Sequence, residues 1–437
     1  MNADNPPKRI TRTVINALKG GVVPRVGLEY IAVGRDREIS ALLRDIDIIA
    51  DGGAAFRFIV GKYGSGKSFL LQTIRNYAME KGFVVVDADL SPERRFVGTK
   101  GQGLATYKEL MKNMSTKTKP DGGALPLILE RWISSVKTGV ATENDVSTDD
   151  PAFEKLVEKR IYTVVGNLEG MVNGFDFAKA ILLYYKAYNE SDDQLKSNVI
   201  KWFRGEYPTK TEAKKELGIN FIVTDDTWYD FIKIFAEFMV HAGYRGMLII
   251  VDELVNIFKI PHAASRQSNY EKILTMYNDV LQGKAQHVGF LIGGTPQCIE
   301  DKYKGVFSYE ALRSRLSESR FASEEAKDLL SPIIRLKMLT YDEVYVLIEK
   351  LMRMHAQLYD YTPSVTHDDL MCFLNVEYNR VGAETHITPR EIIRDFIELL
   401  DILLQNPDKT MTSLLSGGGF IPSKAAAEDE TFTEFEL

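Results

Sequence analysis

Gly61-Lys62-Tyr63-Gly64-Ser65-Gly66-Lys67-Ser68 fits the pattern G-x-x-x-x-G-K-[ST]. Its small residues let successive backbone N–H groups curl around phosphate oxygens without Cβ clashes. The stretch follows an apolar run, Phe56–Val60, that reads as a buried strand. It opens a helical pattern, Lys67–Lys81, whose positive dipole end faces the same anion. The context predicts a loop for the phosphates of ATP or ADP, made of Gly61, Lys62, Tyr63, Gly64, Ser65, Gly66, Lys67, Ser68 and the adjoining Phe69. Lys67 is placed to reach the β- and γ-phosphates, and the Ser68 hydroxyl to ligate Mg2+.

Outward from the loop, four more apolar runs read as strands: Phe83–Ala88, Met247–Val251, Val288–Ile292 and Ile333–Met338. A strand-loop-helix-strand unit signals a parallel sheet with crossovers. Met247–Val251 delivers Asp252 and Glu253 to the carboxyl edge of that sheet. There Asp252 can hold magnesium through water and Glu253 can act as general base on the attacking water. An acidic pair at a strand end can also simply cap a helix. Thr295, after Gly293-Gly294, either positions water and senses the γ-phosphate or sits in an ordinary turn before Pro296. Arg313 and Arg315 lie near the end of a helical stretch, Tyr309–Leu316. Each is either a charge donor reaching across a subunit interface or part of a solvated basic face. In His386-Ile387-Thr388-Pro389-Arg390, Thr388 suits an N-cap and Pro389 a first turn. Arg390 opposes the dipole of the helix it opens, which asks for an anionic partner such as a γ-phosphate; the alternative is a surface arginine.

The chain has 437 residues, 61 acidic against 54 basic, and a net charge of −7, which denies it a globally basic nucleic-acid footprint. Its two cysteines, Cys298 and Cys372, speak against a disulfide scaffold or a cysteine-built zinc site. No run is long and apolar enough for a membrane span, and Met1–Lys8 carries no apolar signal core, so a cytoplasmic protein is expected. Residues 1–8 read as a flexible lead and Arg9–Leu18 as a helix. Residues 91–245 read as a mostly helical insertion, with loops at Ser115–Gly123 and Gly139–Asp150. Helices return at Tyr341–His355, His367–Asn375 and Pro389–Leu404. Residues 406–437, with the acidic Ala425–Leu437, read as a disordered tail.

These features, together with Val33-Gly34-Arg35-Asp36-Arg37-Glu38, occur in the order of an AAA+ ATPase, and that segment resembles the adenine-side motif of its origin-recognition and STAND-like branch. The resemblance implies a P-loop AAA+ fold: an α/β three-layer parallel sheet with a long helical insertion and a C-terminal helical lid. The domains expected are a lead at 1–30, the ATPase core at 31–339, the lid at 340–405 and the tail at 406–437. It also implies that Ile31, Val33 and Gly34 lie against adenine. Thr295 would be the first sensor, Arg313 or Arg315 the arginine finger of a homo-oligomer, and Arg390 the second sensor. More narrowly, Ala17–Pro24, Gly61–Ser68, Asp87–Pro92, Tyr107–Leu110 and Asp252–Leu254 look like the ATP-binding proteins of BREX phage-exclusion loci, the BrxD-like family. That resemblance implies anti-phage defence, with DNA or a partner helicase or nuclease as the object of ATP hydrolysis. Two departures from origin-recognition initiators speak against autonomous DNA binding: the 91–245 insertion, and the lack of room for a winged helix after Leu404. A nucleotide-gated STAND-like switch that exposes the insertion or the tail to a partner protein is the other function this pattern allows.

Overall fold

The computed structural model describes residues 6–317, 328–379 and 388–416. The Met1–Asn5 part of the lead, His386-Ile387 and the tail from Gly417 onward lie outside the described residues. Five strands form one parallel sheet: β1 (Ala54–Gly61), β2 (Val84–Asp89), β3 (Met247–Asp252), β4 (Val288–Gly294) and β5 (Ile333–Leu336), in the order β2-β3-β4-β1-β5. These are the five apolar runs, extended or trimmed by one to a few residues. No helix among the described residues is long and apolar enough to cross a membrane.

The chain divides into two units, Met1–Ile39 with Gly61–Thr73 and Arg335–Leu437, and Ser40–Val60 with Ile74–Ile334. The second unit holds most of the sheet. Alternate residues along the strands, such as Phe58, Val86, Ile249 and Phe290, join one core with the helices of residues 102–241. The helical insertion is therefore continuous with the sheet core. Phe177 anchors it, with ring centroids 5.0 Å from both Phe203 and Phe235. Each such buried side chain contributes about 1.5–3 kcal/mol of transfer free energy. The other sheet face is covered by the helix Asp36–Ala50, where Ile49 closes over Gly289; a Cβ there would meet Ile49 Cδ1 at 2.5 Å. Arg57, in the middle of β1, is buried with Asp45, Nε to Oδ2 at 2.6 Å and Nη2 to Oδ1 at 2.7 Å. Its third nitrogen, Nη1, donates to the Leu330 and Ser331 carbonyls, fixing the approach to β5.

Register places the exits of four strands, β1, β2, β3 and β4, at one edge of the sheet. Val60 pairs with Gly294, Val251 with Ile292, and Asp89 with Asp252. In parallel strands all four ends are carboxyl ends, the edge where open α/β sheets present ligand loops.

The first unit has its own core, built from Val14, Ile15, Leu28 and Ile31 of the N-terminal segment and from the helices Tyr341–Tyr359, His367–Tyr378 and Pro389–Gln405. The helix Lys8–Lys19 is amphipathic, and Lys19 pairs with Asp401 at 2.5 Å.

The structure corrects several expectations. Residues 6–8 are held rather than free: the Pro6 carbonyl accepts from Gln357 Nε2 at 2.9 Å, and Lys8 starts a helix. The helix Leu125–Asn144 runs through the expected break at Gly139, where open space makes a glycine tolerable. A helix at Met411–Ser416 lies in the expected tail, with Met411 buried in the first unit's core. The long helix Ala263–Leu281 and the short Lys210–Leu217 were not foreseen.

Candidate nucleotide site

In the first unit the Gly61–Ser68 loop leads into the helix Lys67–Glu80. Gly64 and Gly66 adopt φ +77° and +83°, a conformation that turns backbone N–H groups inward and that side chains resist. A Cβ at Gly64 would meet the Thr388 side chain at 2.7 Å, whereas nothing lies within 4 Å of one at Gly66. The Ser65 hydroxyl is buried without a hydrogen-bond partner. Lys67 Nζ donates to the Gly61 carbonyl at 2.8 Å and the Lys62 carbonyl at 3.1 Å, which curls the loop over its own lysine. Lys62, Tyr63 and Ser68 are exposed, and Phe69 packs partly against the unit's core. An inward-turned backbone, an orphaned hydroxyl and a helix N-terminus suit a phosphate chain, so the residues present fit ATP.

The loop is braced by residues sequence reading did not single out for that role. Arg35 is buried, and Nη2 donates to the Ser65 carbonyl at 2.9 Å and the Lys337 carbonyl at 2.6 Å. Burial pushes its guanidinium below its ordinary value, opposed by the charges of Glu38 and Glu343. Glu343 caps the helix Tyr341–Tyr359 through the Thr340 N–H at 2.8 Å, and its carboxylate fills the space a Cβ on Gly34 would need. Of the three residues expected beside adenine, Ile31 is buried in the core, Val33 packs partly on it and Gly34 is exposed. Thr388 opens the helix Pro389–Gln405, its N–H and hydroxyl both donating to Glu391, at 2.9 and 3.0 Å. Arg390 Nη1 then donates to Tyr63 Oη at 3.0 Å.

In the second unit the acidic pair ends β3. Glu253 is exposed and adopts φ +63°, the left-handed region, as a non-glycine residue. Its turn is tied down on every side. Glu253 N–H donates to Asp252 Oδ1 at 2.8 Å, and Leu254 N–H to the Gly293 carbonyl at 3.0 Å. Asn256 Nδ2 donates to the Leu90 carbonyl at 2.9 Å. Asp89, opposite Asp252 in the register, reaches solvent. Its carboxyl is nevertheless pushed above the ordinary value, by desolvation first and then by the charges of Asp252 and Asp87. Asp89 follows the apolar run Phe83–Ala88 and lies in the Asp87–Pro92 stretch that carries the family resemblance, but the sequence reading gives it no site role; its sequence, Asp87-Ala88-Asp89, alternates like the pleat.

Thr295 caps the five-residue helix Pro296–Glu300, its Oγ1 accepting from Cys298 N–H at 3.4 Å. Arg313 and Arg315 are both exposed on the helix Glu310–Leu316. Arg313 pairs with Glu310, and Arg315 Nη1 donates to the Ala311 carbonyl at 2.8 Å. Among the described residues no cluster of three or more His, Cys, Asp or Glu side chains could hold a metal.

Compared with known proteins, residues 7–418 match a family model described as BREX system ATP-binding protein BrxC/D. No curated protein matches the chain.

Proposed function

The chain belongs to the family of BREX-system ATP-binding proteins BrxC/D, and from that premise we propose that it is a magnesium-dependent AAA+ ATPase of bacterial phage defence, driving DNA or a partner helicase or nuclease. One observation carries the reading: a glycine-turned loop with an orphaned buried hydroxyl leaves β1 in a sheet whose β3 ends in an acidic pair. Lys67 reaches the β- and γ-phosphates, and loop N–H groups hold the chain of oxygens. Ser68 and, through water, Asp252 hold magnesium, whose charge offsets that of the phosphates. Glu253 takes the proton of the attacking water, worth about 10²–10⁴ in rate. Thr295 orients that water. Arg390, from the lid formed by residues 340–405, contacts the γ-phosphate. Arg313 or Arg315 completes the site of a neighbouring subunit in a homo-oligomer, and both are exposed as that role requires.

The alternative is a nucleotide-gated switch that presents the 91–245 helices or the acidic tail to a partner protein; because those helices share one core with the sheet, it would act through their exposed faces rather than by releasing them.

Lys67→Ala and Glu253→Gln test the assignment together. The first is expected to abolish ATP binding. The second should keep binding and lose turnover, with wild-type turnover rising with protein concentration, DNA or partner. Hydrolysis by Glu253→Gln at the original rate overturns the base assignment, and flat hydrolysis by a strict monomer overturns the motor reading.

A further inference from the structure

Three segments far apart in sequence meet at one guanidinium. Arg390 projects from the first turn of the helix Pro389–Gln405, where the macrodipole disfavours a cation. Tyr63 of the loop accepts from its Nη1 at 3.0 Å. On the other side is the turn after the helix Lys8–Lys19: a Cβ on Gly21 would lie 3.0 Å from Arg390 Nε and 3.4 Å from Nη2. Gly21 adopts φ +66°, and its N–H bonds to the Leu18 carbonyl at 2.9 Å, so bare backbone forms that wall of the seat. Nearby, a Cβ on Gly64 would meet the Thr388 side chain at 2.7 Å, so the helix start also lies close to the same loop. Tyr63 is 51 % exposed, so packing does not account for where its ring stands.

We propose that Tyr63 and Gly21 are positioning residues that set Arg390 for a terminal phosphate, so that this seat determines how strongly the protein prefers ATP over ADP. The inference rests on the reading of Arg390 given above. A guanidinium has five N–H donors, and Tyr63 engages one while fixing the plane of the others. Arginine has several rotatable bonds, so a side chain fixed before the ligand arrives surrenders less rotamer entropy on binding. ADP has no γ-phosphate to use the seat.

The test is the affinity of the full chain for ADP and for a slowly hydrolysed ATP analogue, in Tyr63→Phe, Arg390→Met and the double variant. Arg390→Met is expected to weaken the analogue about 10- to 100-fold and ADP less than about twofold. Tyr63→Phe should weaken the analogue about 3- to 10-fold, spare ADP, and leave the melting temperature of the nucleotide-free protein unchanged. The double variant should match Arg390→Met alone. If Arg390→Met is selective but Tyr63→Phe affects both nucleotides equally, or neither, or adds fully to Arg390→Met, the positioning role is wrong while the Arg390 reading stands. If Arg390→Met shows no preference between the nucleotides, the Arg390 reading itself falls. Gly21→Ala, which pushes Arg390 from its seat, should reproduce the selective loss of Tyr63→Phe; equal loss of both nucleotides overturns Gly21's part.

Discussion

The turn after β1 and the turn after β3 both pass through left-handed backbone, and they do so with opposite chemistry. The first uses Gly64 and Gly66, at φ +77° and +83°; the second uses Glu253, at φ +63°. Glycine takes that conformation freely, whereas a residue with a Cβ pays about 1–2 kcal/mol. Under the roles proposed above, the difference follows from which atoms would face the ligand. Where backbone N–H groups are the binding surface, side chains are stripped away. Where one carboxylate is the working group, the chain keeps the side chain and accepts the strain. The Glu253 turn holds because Asp252, Asn256 and the Gly293 carbonyl bind it.

Gly64→Ala should break the first half of the comparison with the largest effect. The added Cβ would sit 2.7 Å from the Thr388 side chain and also strain φ. The loop must shift, and a displacement near 1 Å at a site of this kind costs about 100-fold. Calorimetric titration with ATP is expected to show at least that loss, with a lower melting temperature. Wild-type affinity in Gly64→Ala would mean that the loop backbone is not the surface that reads phosphate.

Glu253→Gly should act in the reverse sense. Removing the Cβ relieves about 1 kcal/mol of strain, net of the contacts the carboxylate makes. Thermal melting is expected to rise by about 1–2 °C. ATP binding should persist and hydrolysis should vanish. A stabilised but inactive protein is the signature of strain retained for function. A destabilised Glu253→Gly would show that the carboxylate holds its own turn together, and the two turns would no longer differ in kind.

The same contrast explains what the sequence made legible. Both turns follow apolar runs bounded by glycine or acid, so Phe56–Val60 and Met247–Val251 lie within one or two residues of the observed strand ends. The Gly-Lys-Ser signature and the acidic pair are local and could be read directly. The braces are not local. Arg35 reaches a carbonyl 30 residues away, and Tyr63 meets Arg390 across 327 residues. No periodicity encodes such pairings. The helix Ala263–Leu281 was legible in principle, since Tyr270, Ile273, Tyr277 and Val280 recur at helical spacing. Its polar N-terminal half, Ala263–Asn269, hides that face. Gly139 misled in the other direction, because a lone glycine on an open helix face breaks nothing.

The smallest effect sharpens the electrostatic side of the comparison. The β3 turn gathers Asp252 beside Asp89 and Asp87, and Arg75 Nε pairs with Asp87 Oδ1 at 3.1 Å. Asp89 is raised above its ordinary value, so between that value and the raised one the folded state binds more protons than the unfolded chain. Stability therefore falls as pH rises through that window, and at neutral pH the ionised Asp89 works against the fold. Asp89→Asn should raise the melting temperature at pH 7 by on the order of 1 °C. The gain should vanish below about pH 4, where Asp89 is protonated in both states. A loss of stability at pH 7 would mean instead that a cationic partner holds the Asp89 carboxylate. The acidic edge would then be charge-compensated, as the glycine turn is compensated by having no side chains to strain.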